Sequence, residues 1–328
     1  MPAQFDTFRT LVESHTRFVL TTHVNPDGDG LGTEVALAIY LKTLGKQATI
    51  LNYSATPENY LFLANLYPIV QYDPSQHIQL IENAEVIIVL DTNHPDRIAA
   101  MKPALLSSHA IKICIDHHLE PADFADLYIL DETSTSTGEI VYRLINYLSS
   151  QSINSETAIA LYTAIMTDTG SFRYPKTDSE THKIIAHLIQ LGADPVAIYQ
   201  HVYERGSLNR MRLLGKALAT MQMTHDGKIA YIVLTREMLD STNTTEVDTE
   251  AFVPYTLSIE KVQIGLMFSE LPGFVKVSFR SKGDIWINEL AKEFGGNGHK
   301  NSAGARILNA RLDEIIKQVL EHAGLYCI

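Results

Sequence analysis

Arg17-Phe18-Val19-Leu20-Thr21-Thr22-His23-Val24-Asn25-Pro26-Asp27-Gly28-Asp29-Gly30 is the stretch whose reading decides the fold. Residues 17–22 read as a short apolar strand and residues 23–30 as a polar turn. Residues 31–44 then carry the apolar spacing of an amphipathic helix, stopped by Gly45. Strand, tight turn and helix open a βα unit, and the pattern recurs downstream. Residues 85–90 and 111–115 are near-continuous β-branched runs, suited to strands of a parallel sheet covered on both faces. Residues 138–148 and 155–166 read as helices. The alternation predicts a doubly wound α/β domain over residues 1–203.

Beyond it the pattern from about 181 to 221 is helical, and residues 204–225 are expected to connect two domains. Residues 228–234, 261–271 and 274–279 read as strands, with helices near 288–294 and 311–322. Residues 226–328 therefore form a second, smaller α/β domain. No internal repeat or low-complexity segment is visible.

A chain of 328 residues with 45% hydrophobic and 20% charged residues suits two globular domains. No apolar run reaches the roughly 18 to 20 residues that cross a bilayer, and the N-terminus lacks a secretory signature. Two cysteines, Cys114 and Cys327, exclude a disulfide framework and a thiolate metal cluster. The expected location is cytoplasmic, without a membrane partner. With 26 basic against 38 acidic residues the net charge is −12, and no basic stripe offers a track for long DNA or RNA. Bound metals would reverse the sign locally, so the balance favours a small anionic substrate at a metal-charged site.

Ligands of open parallel sheets bind outside the C-terminal strand ends. There His23, Asp27 and Asp29 converge within seven residues, the proline and glycines allowing a tight fold. The plain alternative is an Asp-Gly turn with a capping carboxylate. Acidic residues end the later strands as well: Asp91 follows residues 86–90, and Asp116-His117-His118 follows residues 111–115. A lone Asp after a strand is ordinarily a cap. Two adjacent histidines behind an acid have few structural roles. Asp168 follows the helix through Met166. Oxygen and imidazole donors without thiolates suit Mn²⁺ or Mg²⁺, with Zn²⁺, Fe²⁺ or Co²⁺ as substitutes. A carboxylate bridging two ions about 3.5 to 4 Å apart is a recurring device for phosphate-ester hydrolysis, supplying a hydroxide at neutral pH.

In the second domain, Phe294-Gly295-Gly296-Asn297-Gly298-His299-Lys300-Asn301-Ser302-Ala303-Gly304 is dense in glycine. Such a loop exposes backbone N–H groups, and the small residues after it are expected to open a helix whose N-terminus favours anions. Arg280, ending a strand, is a natural phosphate fork. Taken alone, the loop reads as flexible and the arginine as a solvated edge residue.

In their order along the chain these motifs resemble the DHH phosphoesterases, a family named for the triplet seen here as Asp116-His117-His118. The resemblance covers nearly the whole chain, and the glycine-rich segment is similar to that of the DHH-associated domain. Size and layout look like the family's stand-alone nanoRNases, which also remove the 3′-phosphate from adenosine 3′,5′-bisphosphate. The resemblance implies two divalent ions, manganese first among those named. His23, Asp27 and Asp91 would hold one; Asp29, Asp91, His117 and Asp168 would hold the other. It makes Asp91 the bridge, His118 a phosphate contact and Asp116 the group orienting an imidazole. Arg280, Gly296, Gly298, His299 and Lys300 would bind substrate. Asn297 interrupts the family's three glycines and Ser302 replaces an alanine; Asn tolerates positive φ and Ser is small, so the loop is expected to survive.

The expected function is hydrolysis of short oligoribonucleotides, about two to five nucleotides long, and of adenosine bisphosphate, since added phosphates gain little from an acidic protein. Alternatives are a phosphodiesterase for cyclic di-AMP or linear diadenylate, a DHH-type inorganic pyrophosphatase, and a nucleotide-binding regulator without activity. The pyrophosphatases typically carry Ser-Arg-Lys-Lys-Gln and no glycine-histidine loop, the reverse of this chain. Oligomeric state is open, a homodimer included.

Overall fold

The computed structural model describes residues 1–149 and 152–327, without the side chain of His299. The chain forms two compact units, Met1–Arg205 and Gly206–Ile328.

The first unit is built on six strands: β1 (Arg17–Thr21), β2 (Gln47–Asn52), β3 (Ile69–Gln71), β4 (Val86–Leu90), β5 (Ile111–Asp116) and β6 (Leu127–Leu130). Their order is β3-β2-β1-β4-β5-β6, with every neighbouring pair parallel. Alternate residues serve opposite faces. Phe18, Leu20, Val86, Ile88 and Leu90 join one core with the helices Gly28–Thr43, Thr137–Leu148 and Ser155–Asp168. Val19, Ile87 and Val89 join another with Ile81, Ile98, Met101 and Leu105. The sheet is therefore doubly wound.

The strand order reverses between β1 and β4, the strands before β4 being added on one side and those after it on the other, which makes this the switch point where such sheets open a crevice. Thr21 pairs with Val89, and Leu90 with Ile115. The residues following β1 and β4, and the end of β5, therefore share one edge.

Two expectations for helix 28–43 are corrected. It starts at Gly28 rather than residue 31, because Asp27 caps it by accepting from the N–H groups of Asp29 and Gly30. It is also buried all round from Gly28 to Leu41 rather than amphipathic, being enclosed by the sheet and by helices 137–148 and 155–168. Gly32 makes this possible: a Cβ there would lie 2.4 Å from the Ala160 carbonyl oxygen. The short strands β2, β3 and β6 escaped the sequence reading.

The second unit carries β7 (Gln222–Thr224), β8 (Ile229–Leu234), β9 (Ile264–Leu271), β10 (Phe274–Ser281), β11 (Asn297–His299) and β12 (Ser302–Leu308), in the order β11-β12-β10-β9-β8-β7. Only the β8–β9 pair is parallel among the described residues. Helices Ile287–Glu293 and Leu312–Ala323 cover one face. Helices Leu208–Ala219 and Arg236–Thr242 supply Leu213, Ala217 and Leu239 to a core with Ile232, Leu234 and Met267.

The helix expected after the glycine-rich loop is instead β12, antiparallel to β10. Ala303 and Ala305 point inward at a period of two, and their small side chains leave no apolar signal to separate strand from helix. Among the described residues, no helix is long and apolar enough to cross a membrane.

Candidate metal centre

His23 and Asp91 follow the two strands at the switch point, and Asp116 ends β5 beside them. Asp91 holds a left-handed backbone at φ +56°, sparsely populated for a residue with a Cβ. The turn sends its buried carboxylate back over the strand ends. Asp27 does act as the cap that the plain reading offers, and it also lies 3.9 Å from His23 Nε2. Asp168, the last residue of helix 155–168, arrives from the far half of the unit.

The donor atoms fall into three overlapping sets: His23, Asp27 and Asp91; Asp29, His117 and Asp168; and Asp91, Asp116, His117 and His118. His23 Nδ1 lies 2.9 Å from the Val24 carbonyl oxygen, which only accepts. In the neutral ring Nδ1 therefore carries the proton, and the Nε2 lone pair faces Asp91 Oδ2 at 3.4 Å. His117 repeats the arrangement, with Nδ1 3.4 Å from the Ser134 carbonyl oxygen. Its Nε2 stands 3.3 Å from Asp168, 3.7 Å from Asp91 and 3.9 Å from Asp29. That nitrogen is buried without a hydrogen-bond partner. Burial first, then His118, pulls the His117 imidazole down to about 4, which keeps it neutral.

Lone pairs aimed at carboxylates repel unless a cation lies between them. Two ligands each about 2.1 Å from one ion stand roughly 3 to 3.5 Å apart, close to the separations seen. The carboxylates carry the same conflict. Burial, followed by Asp91, Asp168 and Asp27, pushes Asp29 well above the usual range. Burial, followed by Asp27, Asp168 and Asp116, does the same to Asp91. Burial and then Asp27 raise Asp168 to about 7. The donor set fits divalent cations.

The N-terminus of helix 137–148 aims these groups. Asp29 accepts from the Thr137 N–H at 2.7 Å and the Gly138 N–H at 2.8 Å. The Thr137 hydroxyl donates to Asp91 Oδ1 at 3.1 Å. Further along the same helix, Glu139 accepts from the N–H and hydroxyl of Thr135, and Arg143 reaches Glu139, Asp131 and Ser134. Thr135, Thr137, Gly138, Glu139 and Arg143 did not emerge from the sequence as residues of the site. The signal was Ser136-Thr137-Gly138-Glu139, the S-x-x-E of a capping box; Ser136 accepts from the Glu139 N–H. Beneath β1, Asn52 takes the Thr22 N–H and donates to Glu34, a buried acid raised to about 8 by desolvation. Asn93 donates to the carbonyls of His118 and Leu119, fixing the loop that carries the double histidine.

Asp116 Oδ1 accepts from His118 Nδ1 at 2.7 Å and from the His117 N–H at 2.8 Å. It therefore sets the His118 ring plane, with Nδ1 3.8 Å from Asp91.

Arg280, Gly296, Gly298, His299 and Lys300 lie in the second unit. Arg280 pairs with Ser302 across β10–β12 and donates to the Phe279 carbonyl. The glycines do not present open N–H groups. Gly296 donates to the Ala291 carbonyl and Gly298 to Asn297 Oδ1. Close backbone approach requires them: a Cβ would lie 2.4 Å from Gly304 O at position 296 and 2.4 Å from Ser302 O at position 298. His299 falls in β11, its side chain outside the described residues.

The family model "DHH family, N-terminal domain" matches residues 17–165, and "DHHA1 domain" matches residues 226–324. The chain is 28% identical over 303 residues to the bifunctional oligoribonuclease and PAP phosphatase NrnA of Thermus thermophilus, covering 92% of this chain and 87% of that one. It is 28% identical over 300 residues to the protein of the same name in Bacillus subtilis, covering 90% and 91%. Among solved structures, an exopolyphosphatase-related protein from Bacteroides fragilis superposes with a TM-score of 0.94 at 35% identity, over 99% of this chain and 96% of that one.

Proposed function

The chain belongs to the DHH family, and from that premise we propose that it is a divalent-metal-dependent phosphoesterase of short oligoribonucleotides and adenosine 3′,5′-bisphosphate. Relatives named for those two activities, similar over about nine-tenths of the chain, support the substrate class. The observation that carries the chemistry is His117 Nε2, buried, unpaired and facing three carboxylates.

His23, Asp27 and Asp91 would hold one ion and Asp29, Asp91, His117 and Asp168 a second, with Asp91 shared and Mn²⁺ the ion we favour. Two such ions lower the pKa of water and neutralise charge at a phosphoryl group. The remaining work falls to the chain. Thr137 and Gly138 hold Asp29 by both oxygens, so the carboxylate cannot swing away. Asp116 orients His118, which we assign to the scissile phosphate. Arg280, His299, Lys300 and the turn around Gly296 and Gly298 are assigned to the rest of the substrate.

The deciding experiment offers adenosine bisphosphate, linear and cyclic diadenylates, pyrophosphate and a ladder of single-stranded RNAs with Mn²⁺. We expect adenosine bisphosphate and RNAs of about two to five nucleotides to react fastest, because a chain of net charge −12 gains little from further phosphates. A long RNA degraded as fast as a dinucleotide would make this a general exonuclease. Preference for pyrophosphate or cyclic diadenylate would overturn the assignment.

A further inference from the structure

The single tryptophan of the chain, Trp286, is 56% exposed on the turn after β10. Single exposed apolar residues are ordinary; this one sits on a backbone anchored on both sides. Its neighbours Ile285 and Ile287 are buried and pin the backbone on either side. The Ile287 N–H donates to the Lys300 carbonyl at 2.7 Å, and the Ser281 N–H to the Asn301 carbonyl at 3.1 Å. Asn301 Nδ2 reaches Ser281 Oγ at 2.9 Å and the Gly283 and Ile285 carbonyls at 3.0 and 3.3 Å. The turn carrying Trp286 is thus stitched to the glycine-rich loop, and Lys300 Nζ sits 5.4 Å from the indole centroid, also held by Asp284 at 2.7 Å.

We infer that Trp286 is a stacking platform for a nucleobase of the substrate, with the Lys300 ammonium beside it for that nucleotide's phosphate. This rests on the function proposed above and adds a means of holding a base whatever its identity. A nucleotide is a planar ring joined to an anion, and this corner offers an exposed aromatic plane beside a cation. Stacking on an aromatic side chain tolerates any base, because every base has a π face. The Asn301 stitch holds the backbone of this turn in place, so little backbone freedom is lost on binding.

The chain's own fluorescence tests this, because it has one tryptophan. Titrating the full-length protein in Mg²⁺ with AMP should quench the emission saturably, whereas ribose 5-phosphate should not. Trp286→Ala should raise KM for linear diadenylate about tenfold with kcat little changed, and Trp286→Phe should recover most of the loss. A KM for Trp286→Ala within about twofold of wild type, with wild-type hydrolysis intact, removes the platform and leaves the phosphoesterase reading standing. Equal quenching by AMP and ribose 5-phosphate overturns it too. Wild-type protein that hydrolyses neither diadenylate nor adenosine bisphosphate overturns both.

Discussion

The Thr137 hydroxyl lies 3.1 Å from Asp91 Oδ1, across 46 positions of sequence, while the N–H of the same threonine holds Asp29. One residue at a helix start therefore aims the shared carboxylate and a carboxylate of the second donor set. Thr137→Val keeps the shape and removes the hydroxyl, and should weaken Mn²⁺ binding about 10- to 100-fold. Thr137→Ser should restore it. Calorimetric titration of the metal-free variants measures this, and equal affinity in Val and Thr forms would remove the hydroxyl from the account.

Asp91→Asn should abolish hydrolysis of every substrate, because one carboxylate stands in both the His23 set and the double-histidine set. Activity within about tenfold of wild type at saturating Mn²⁺ would show that the ions do not share it.

His117→Ala should lower both metal content and turnover, and His118→Ala mainly turnover. His117 Nε2 faces three carboxylates, whereas His118 Nδ1 is engaged by Asp116. Elemental analysis of the two purified variants separates the roles; equal metal loss contradicts the division.

Removal of metal should make stability depend on pH with a definite sign. Asp168 is raised from 3.8 to about 7 in the folded chain, so the native state keeps a proton that the unfolded chain has released. Its contribution is complete below the lower value and is lost as pH rises through the upper one. Asp29 and Asp91 shift in the same direction. Cations compete with these protons, so the rise in Tm on adding Mn²⁺ should grow between about pH 5 and about pH 8. A constant increment would contradict the coupling.

Asp91 and Asp116-His117-His118 were legible as ligand candidates because they end apolar β-branched runs, and the adjacent histidines have few structural roles; Asp27, Asp29 and Asp168, in a turn and at helix ends, gained their meaning only from the set as a whole. Thr137 and Gly138 were not, since their partner Asp29 lies 108 and 109 positions away and neither residue type announces the contact. The start of helix 28–43 was misplaced because glycine disfavours helix interiors; here close packing overrides propensity, as the contact of Gly32 with Ala160 demonstrates. Strand β12 was misread because Ala303 and Ala305 are too small to show a period.

The donor groups at the sheet edge run from His23 to Asp168, nearly half the chain's length apart. Bringing them together requires the closure of long loops and the docking of helix 155–168 on helix 28–43, which are late events in a parallel fold. A cation therefore finds its full set of donors only once the first unit is essentially assembled. On the ligand assignment proposed above, an ion would act as a latch on the finished unit rather than as a nucleus. In stopped-flow measurements Mn²⁺ should leave the refolding rate nearly unchanged and slow unfolding steeply, so that resistance to denaturation is a matter of lifetime set by the metal.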